Sequence, residues 1–239
     1  ANFSGTSMAA PSVTGSLALL QELHSNMRGD FMKSATLRGL IIHTALEAGS
    51  NPGPDFRFGW GLLDAEASAQ ALLDEGFESI IDENTLVDSQ LFTQTVTSNG
   101  VDPLFVTIAW TDLPGSTQGT ILDDQTPRLV NDLDLVLEDA NGTLFYPWKF
   151  NLGLPSNAPT TGVNNVDNVE KVEINAPSGT YTIKVSHKGA LVNGVQDFSI
   201  IATGILESDF NYTADNIFKT FCSDQVAVYE FNYESSANF

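Results

Sequence analysis

Cysteine is nearly absent from this 239-residue chain. The single Cys222 cannot close an internal disulfide, and no CxxC or Cys/His cluster exists to hold zinc. Basic residues are also scarce: 10 Lys and Arg stand against 30 Asp and Glu, a formal charge of -20 at pH 7. That balance excludes nucleic acid and anionic membranes as natural partners and favours solubility and cation binding. No apolar run approaches the ~18 residues needed to cross a bilayer, so membrane insertion is not expected. The N-terminus carries neither an initiator Met nor a signal-peptide pattern, and the chain reads as cut at its start. With 42% hydrophobic residues it holds enough apolar material for one large or two ordinary domains.

The acids are unevenly spread. Residues 1–50 hold three acidic and three basic residues, whereas residues 51–150 hold seventeen and three. From Pro11 to His24 the sequence is small and apolar nearly all round, the pattern of a helix buried in a larger body that this chain barely supplies. A second helix is expected from Ser34 to about Ala48, with Leu37, Leu40, Ile41 and Ala45 at helical spacing and Gly49 as a stop. A third follows from Ala65 to Leu73, and a domain boundary is placed near residue 76.

Beyond that boundary the period changes to that of strands: Leu91 to Thr97, Leu104 to Trp110, Leu129 to Leu137, Val169 to Ile174, Thr180 to His187 and Phe198 to Thr203. Turns such as Asn141-Gly142 separate them, which predicts an antiparallel sandwich over residues 77–206. Residues 150–168 form a long Asn-, Pro- and Gly-rich connection, read equally well as an ordered functional loop or a plain crossover. Residues 207–239 read as the first strands of a further, truncated β module. Trp60, Trp110 and Trp148 are expected to be packing anchors.

Residues 3–15 read FSGTSMAAPSVTG. Gly5 permits a tight turn, Ser7 enters a helix at its positive end, and Ala9, Ala10 and Gly15 allow close packing. A bare serine there is most often only an N-cap, because a hydroxyl needs a base before it becomes a nucleophile. The stretch GTSMAAP, with a Gly four residues after the Pro, resembles the nucleophile segment of the subtilisin-like serine peptidases. The resemblance continues through LRGLIIHTALEAG and FGWGLLDAEASAQALL, so residues 1–76 resemble the C-terminal end of a subtilase α/β catalytic domain. Residues 104–204, with VTIAWTDLPGS, LVNDLDLVLEDANGTLFY, NNVDNVEKVEI and APSGTYTIKVS, resemble the jelly-roll-like, P-domain-like β-sandwich that follows that domain in some secreted bacterial subtilases.

What the resemblance implies is a secreted or cell-surface bacterial endopeptidase that cleaves protein or peptide substrates through an acyl-enzyme on Ser7. It implies a chain order of Asp, His, then Ser, so the Asp, the His and an oxyanion Asn would lie upstream, in the other half of the catalytic domain. This chain alone is then expected to be inactive, with the backbone N–H of Ser7, helped by the Thr6 hydroxyl, as its only oxyanion support. None of the three histidines takes the family's catalytic position: His24 is read as a helix C-terminal charge, His43 as a packed or partly exposed helix residue, and His187 as an exposed strand end.

Asp132 and Asp134 are two apart in a strand, hence on one face, which suits paired oxygen ligands for a structural calcium. Asp112, Asp123 or Asp124 would have to converge with them, and a solvated acidic face is the competing reading. The rival function is a non-catalytic one: a pseudoenzyme, or an extracellular β-sandwich that binds carbohydrate or protein.

Overall fold

The computed structural model describes residues 4–117, 119, 120, 122 and 124–206. Cys222, Asp123 and the expected β module at 207–239 lie outside the described residues. Among the described residues the structure is mostly β-sheet with three α-helices: α1 (Thr6–Arg28), α2 (Ser34–His43) and α3 (Ala65–Leu73). The strands are β1 (Ser79–Val87), β2 (Phe92–Ser98), β3 (Leu104–Ala109), β4 (Asp132–Asp139), β5 (Leu144–Phe145), β6 (Trp148–Lys149), β7 (Thr160–Thr161), β8 (Val169–Ile174), β9 (Thr180–Lys188), β10 (Val195–Thr203) and β11 (Ile205–Leu206).

Two antiparallel sheets share one apolar core. One has the order β1-β10-β3-β8 and the other β11-β2-β9-β4-β5, while β6 and β7 form a small separate ribbon. Period-two alternation decides what each strand contributes. In β4, Leu133, Leu135 and Leu137 are buried in the core, and Asp134 and Val136 between them lie on the other face. Across the core, β3 supplies Leu104, Val106 and Ile108, and β10 supplies Phe198, Ile200 and Ala202.

The four-stranded sheet is covered on its second face as well, which is why β3 and β10 are buried almost continuously rather than alternately. The cover is helical: Leu20 of α1, Leu40 of α2, and Ala71 and Leu72 of α3 form a second cluster with Ile81 and Ile201 of the sheet's outer face. α1 takes the least part in this cover: Leu20 is its one buried residue. Gly39 lets α2 come close, since a Cβ there would stand 2.8 Å from Ile201 Cδ1 and 3.1 Å from Ala109 Cβ. Polar ties fix the angle. Arg38 donates through Nη2 to the Trp110 and Asn168 carbonyls, each at 2.8 Å, and Thr36 and Ser199 share a buried hydroxyl contact at 2.8 Å.

A second tie is made by the loop after α2. At Gly53 (φ 80°) a side chain would collide with the Trp148 ring, its Cβ only 2.6 Å from Cδ2, so the glycine lets this loop lie on β6. The expectation of Trp148 as a packing anchor matches this contact.

Candidate active site

Ser7 is the second residue of α1 and lies in solvent. The helix starts after Gly5, whose φ of 156° with ψ of 172° no helix adopts, and no side chain caps it. The first intrahelical bonds are donated by Met8 and Ala9 to the Gly5 carbonyl, at 3.0 and 3.2 Å. The amides of Thr6 and Ser7 therefore precede the bonded ladder and point beyond the helix end, where the helix dipole favours negative charge. Pro11 adds a local consequence: it has no N–H, so the Ser7 carbonyl lacks its usual partner four residues on. Serine hydroxyl, exposed amide and positive helix end thus coincide within one turn, the groups an acyl-transfer site needs around its nucleophile.

The base is not among the histidines. His24 lies seventeen residues along the same helix, roughly 26 Å away at 1.5 Å per residue, and its Nε2 is 3.1 Å from Asp30 Oδ1. His187 is not the exposed strand end the sequence suggests. Its side chain is buried and its Nε2 accepts the Ser89 N–H at 2.8 Å, in the turn between β1 and β2.

His43 is fully enclosed between α2 and the four-stranded sheet, with Nδ1 2.8 Å from Thr107 Oγ1 and Nε2 2.9 Å from Thr203 Oγ1. Burial, and then the nearby Lys171 ammonium, hold its pKa well below the ordinary histidine value. Unfolding exposes an imidazole that binds a proton near pH 6.5, so below that pH the unfolded state gains protons the folded state refuses. Stability should fall as pH drops from about 6.5, by up to ~1.4 kcal/mol per unit from this group. Urea unfolding of wild type and His43→Gln from pH 7 to 5 should show a gap that narrows as pH falls, and a pH-independent gap would refute a neutral, buried His43.

Asp132 and Asp134 do share a face of β4, and a cation lies between them: Lys188 Nζ donates to Asp132 Oδ2 at 3.1 Å and to Asp134 Oδ1 at 2.6 Å. Asp112 and Asp124, two of the acids expected to join them, do not. Asp112 is spent on the backbone amides of Leu113, Val130 and Asn131, and Asp124 pairs with Arg128 and Thr126. Among the described residues no group of three or more His, Cys, Asp or Glu side chains is disposed to hold a metal ion. Sequence reading missed Glu170, a wholly buried carboxyl near this pair that accepts the Leu135 N–H at 2.6 Å. β8 reads Val-Glu-Lys-Val-Glu-Ile, so nothing in its sequence marks Glu170 as buried.

Residues 1–61 match the Subtilase family model of S8 peptidases. This segment is similar to the subtilase family. Over 61 residues the chain is 46% identical to the autotransporter lipoprotein NalP of Neisseria meningitidis serogroup B, in strains MC58 and H44/76 alike. That stretch is 26% of this chain but only 5% of NalP. Two solved structures also align weakly. A Sulfurospirillum deleyianum protein is 9% identical with a TM-score of 0.29, covering 52% of this chain and 97% of that one. The SPBc2 prophage-derived protein YomS is 14% identical with a TM-score of 0.21, covering 52% and 96%. The matched segment takes in α1, α2 and the loop that follows, and Ser7 lies within it.

Proposed function

We propose that this chain is part of a secreted or surface-exposed bacterial serine endopeptidase of the subtilisin type, with Ser7 as its nucleophile. The observation that carries the reading is the placement of GTSMAAP, inside the matched segment, at the start of α1 with Ser7 exposed beside unbonded helix amides. In this mechanism Ser7 Oγ attacks the carbonyl carbon of a peptide bond, losing its proton to a histidine that an aspartate orients. The Ser7 N–H, with Thr6 in support, holds the carbonyl oxygen as charge develops on it, and the amine leaves with the proton. Water then releases the acyl group by the reverse path.

The histidine, the aspartate and an oxyanion asparagine come from the other half of the catalytic domain, which also covers the exposed Met8 and Leu19 of α1. The chain by itself is then inactive. Residues 1–76 are the end of the catalytic domain, residues 77–206 a jelly-roll-like sandwich that braces it through α2, and residues 207–239 the start of a further module. The substrate is a protein or peptide, not nucleic acid. The surface location is supported by the autotransporter lipoprotein NalP, to which residues of the matched segment are similar.

A second reading, a non-catalytic pseudoenzyme or binding protein, is favoured by one observation: each histidine here is engaged away from Ser7. The test is a fluorophosphonate probe applied to the chain expressed with its upstream coding sequence. Labelling that maps to Ser7, with none on residues 1–239 alone, is the expected result. A longer chain that stays unlabelled would favour the second reading.

A further inference from the structure

We propose that the oxygens of Asp132, Asp134 and Asn165 form a cation site whose resident cation is the Lys188 ammonium, supplied by the chain itself in place of a divalent ion. Strand register brings the parts together. Lys188 on β9 stands directly opposite Asp132 on β4, and Asp134 follows two residues later on the same face. The loop before β8 adds a third oxygen, since Lys188 Nζ also donates to Asn165 Oδ1. An ammonium has three N–H donors and no acceptor, so three convergent oxygens exhaust it. Calcium needs six to eight oxygens around the same point, and the Nζ stands where it would have to sit.

A fourth polar group lies in the same seam. Glu170 is wholly buried, and its Oε2 accepts from Leu135 N while its Oε1 has no partner. Asp132 Oδ1 is likewise buried without a partner. Two orphaned carboxyl oxygens thus belong to the same group of acids as the ammonium, where opposite charge compensates what hydrogen bonding does not. The same environment acts on the acids: burial and the neighbouring carboxylates raise the pKa of Glu170 well above the usual range, and burial raises that of Asp132 against the pull of Lys188.

The experiment is to take the ammonium away. Lys188→Met keeps the length and apolar stem and leaves Asp132, Asp134 and Asn165 without their cation. For the wild-type chain, Tm should be the same in EDTA and in millimolar calcium. K188M should melt lower in EDTA and rise by about 5 °C in calcium as the ion takes over the vacated oxygens. If K188M does not fold in EDTA, refolding only in calcium gives the same support, and Lys188→Arg should stay indifferent to calcium. Calcium binding to the wild-type chain in calorimetry that Asp134→Asn removes would overturn the proposal, as would a K188M protein as indifferent to calcium as wild type.

Discussion

On the proposed reading of Ser7 as a nucleophile, replacing it by Ala in the chain expressed with its upstream coding sequence should lower kcat by about 10⁶, the loss known for the nucleophile of subtilisin. The structure separates this effect from a folding defect. Ser7 is exposed on α1 and caps nothing, so its removal should change stability by no more than ~0.5 kcal/mol. The amides at the helix start remain in place without the hydroxyl, because Gly5 and the Met8 and Ala9 hydrogen bonds set them. A residual rate of roughly 10³–10⁴ over water should persist from oxyanion binding and substrate positioning. Peptide hydrolysis by wild type and S7A, with urea unfolding as the control for fold, checks both halves. Activity within tenfold of wild type would remove Ser7 from the chemistry, and a large loss of stability would make it a structural residue.

How far the fold is legible in the sequence depends on whether one face or two are buried. Strands with one wet face announce themselves: β4 alternates Leu with Asp, Val and Glu, and β9 alternates Tyr, Ile and Val with Thr, Lys and Ser. The helix α3 is found to the residue because Asp64 caps it, accepting the Ala67 N–H at 2.9 Å. By contrast β1 is missed, because its centre reads Asp82-Glu83-Asn84, a turn-like run. Tertiary structure gives that run its purpose: Glu83 accepts the Lys33 N–H and the Thr36 hydroxyl, so the acid marks where the helices dock on the sheet. The end of α2 is also misjudged. Helical periodicity runs on towards Ala48, but the helix stops at His43, where the chain turns to pair Leu46 with Leu62.

The candidate site divides on the same grounds. Ser7 is legible because its neighbours in sequence are its neighbours in space. The acids at Asp132 and Asp134 are legible as a pair but not as a site, since their partner Lys188 lies more than fifty residues away and meets them only through strand register. His43 and Glu170 are illegible for a further reason. Each is a titratable residue among other polar and charged residues of its element, and only the packing of the second layer shows that it is buried rather than exposed.

Trp110→Ala should cost about 3–5 kcal/mol, a large part of the 5–15 kcal/mol that holds a typical domain folded. The indole is fully buried where β3 ends, in the core the two sheets share. Its Nε1 donates to the Asn131 carbonyl at 2.9 Å, and Asn131 in turn donates to Gln196 and accepts the Val192 N–H, both at 2.8 Å. Truncation therefore opens a cavity the size of an indole and leaves a buried carbonyl without its donor, two penalties that add. The backbone of Trp110 is spared, since its carbonyl keeps the Arg38 and Asn168 bonds that tie α2 to the sheet. Trp110→Phe separates the terms: it keeps most of the ring volume and loses the hydrogen bond, so about 1–3 kcal/mol is expected. Urea unfolding followed by circular dichroism should place the midpoints in the order wild type, W110F, W110A. A W110A midpoint equal to that of W110F would mean that the cavity collapses at no cost, and the indole would then matter to the core only through its hydrogen bond.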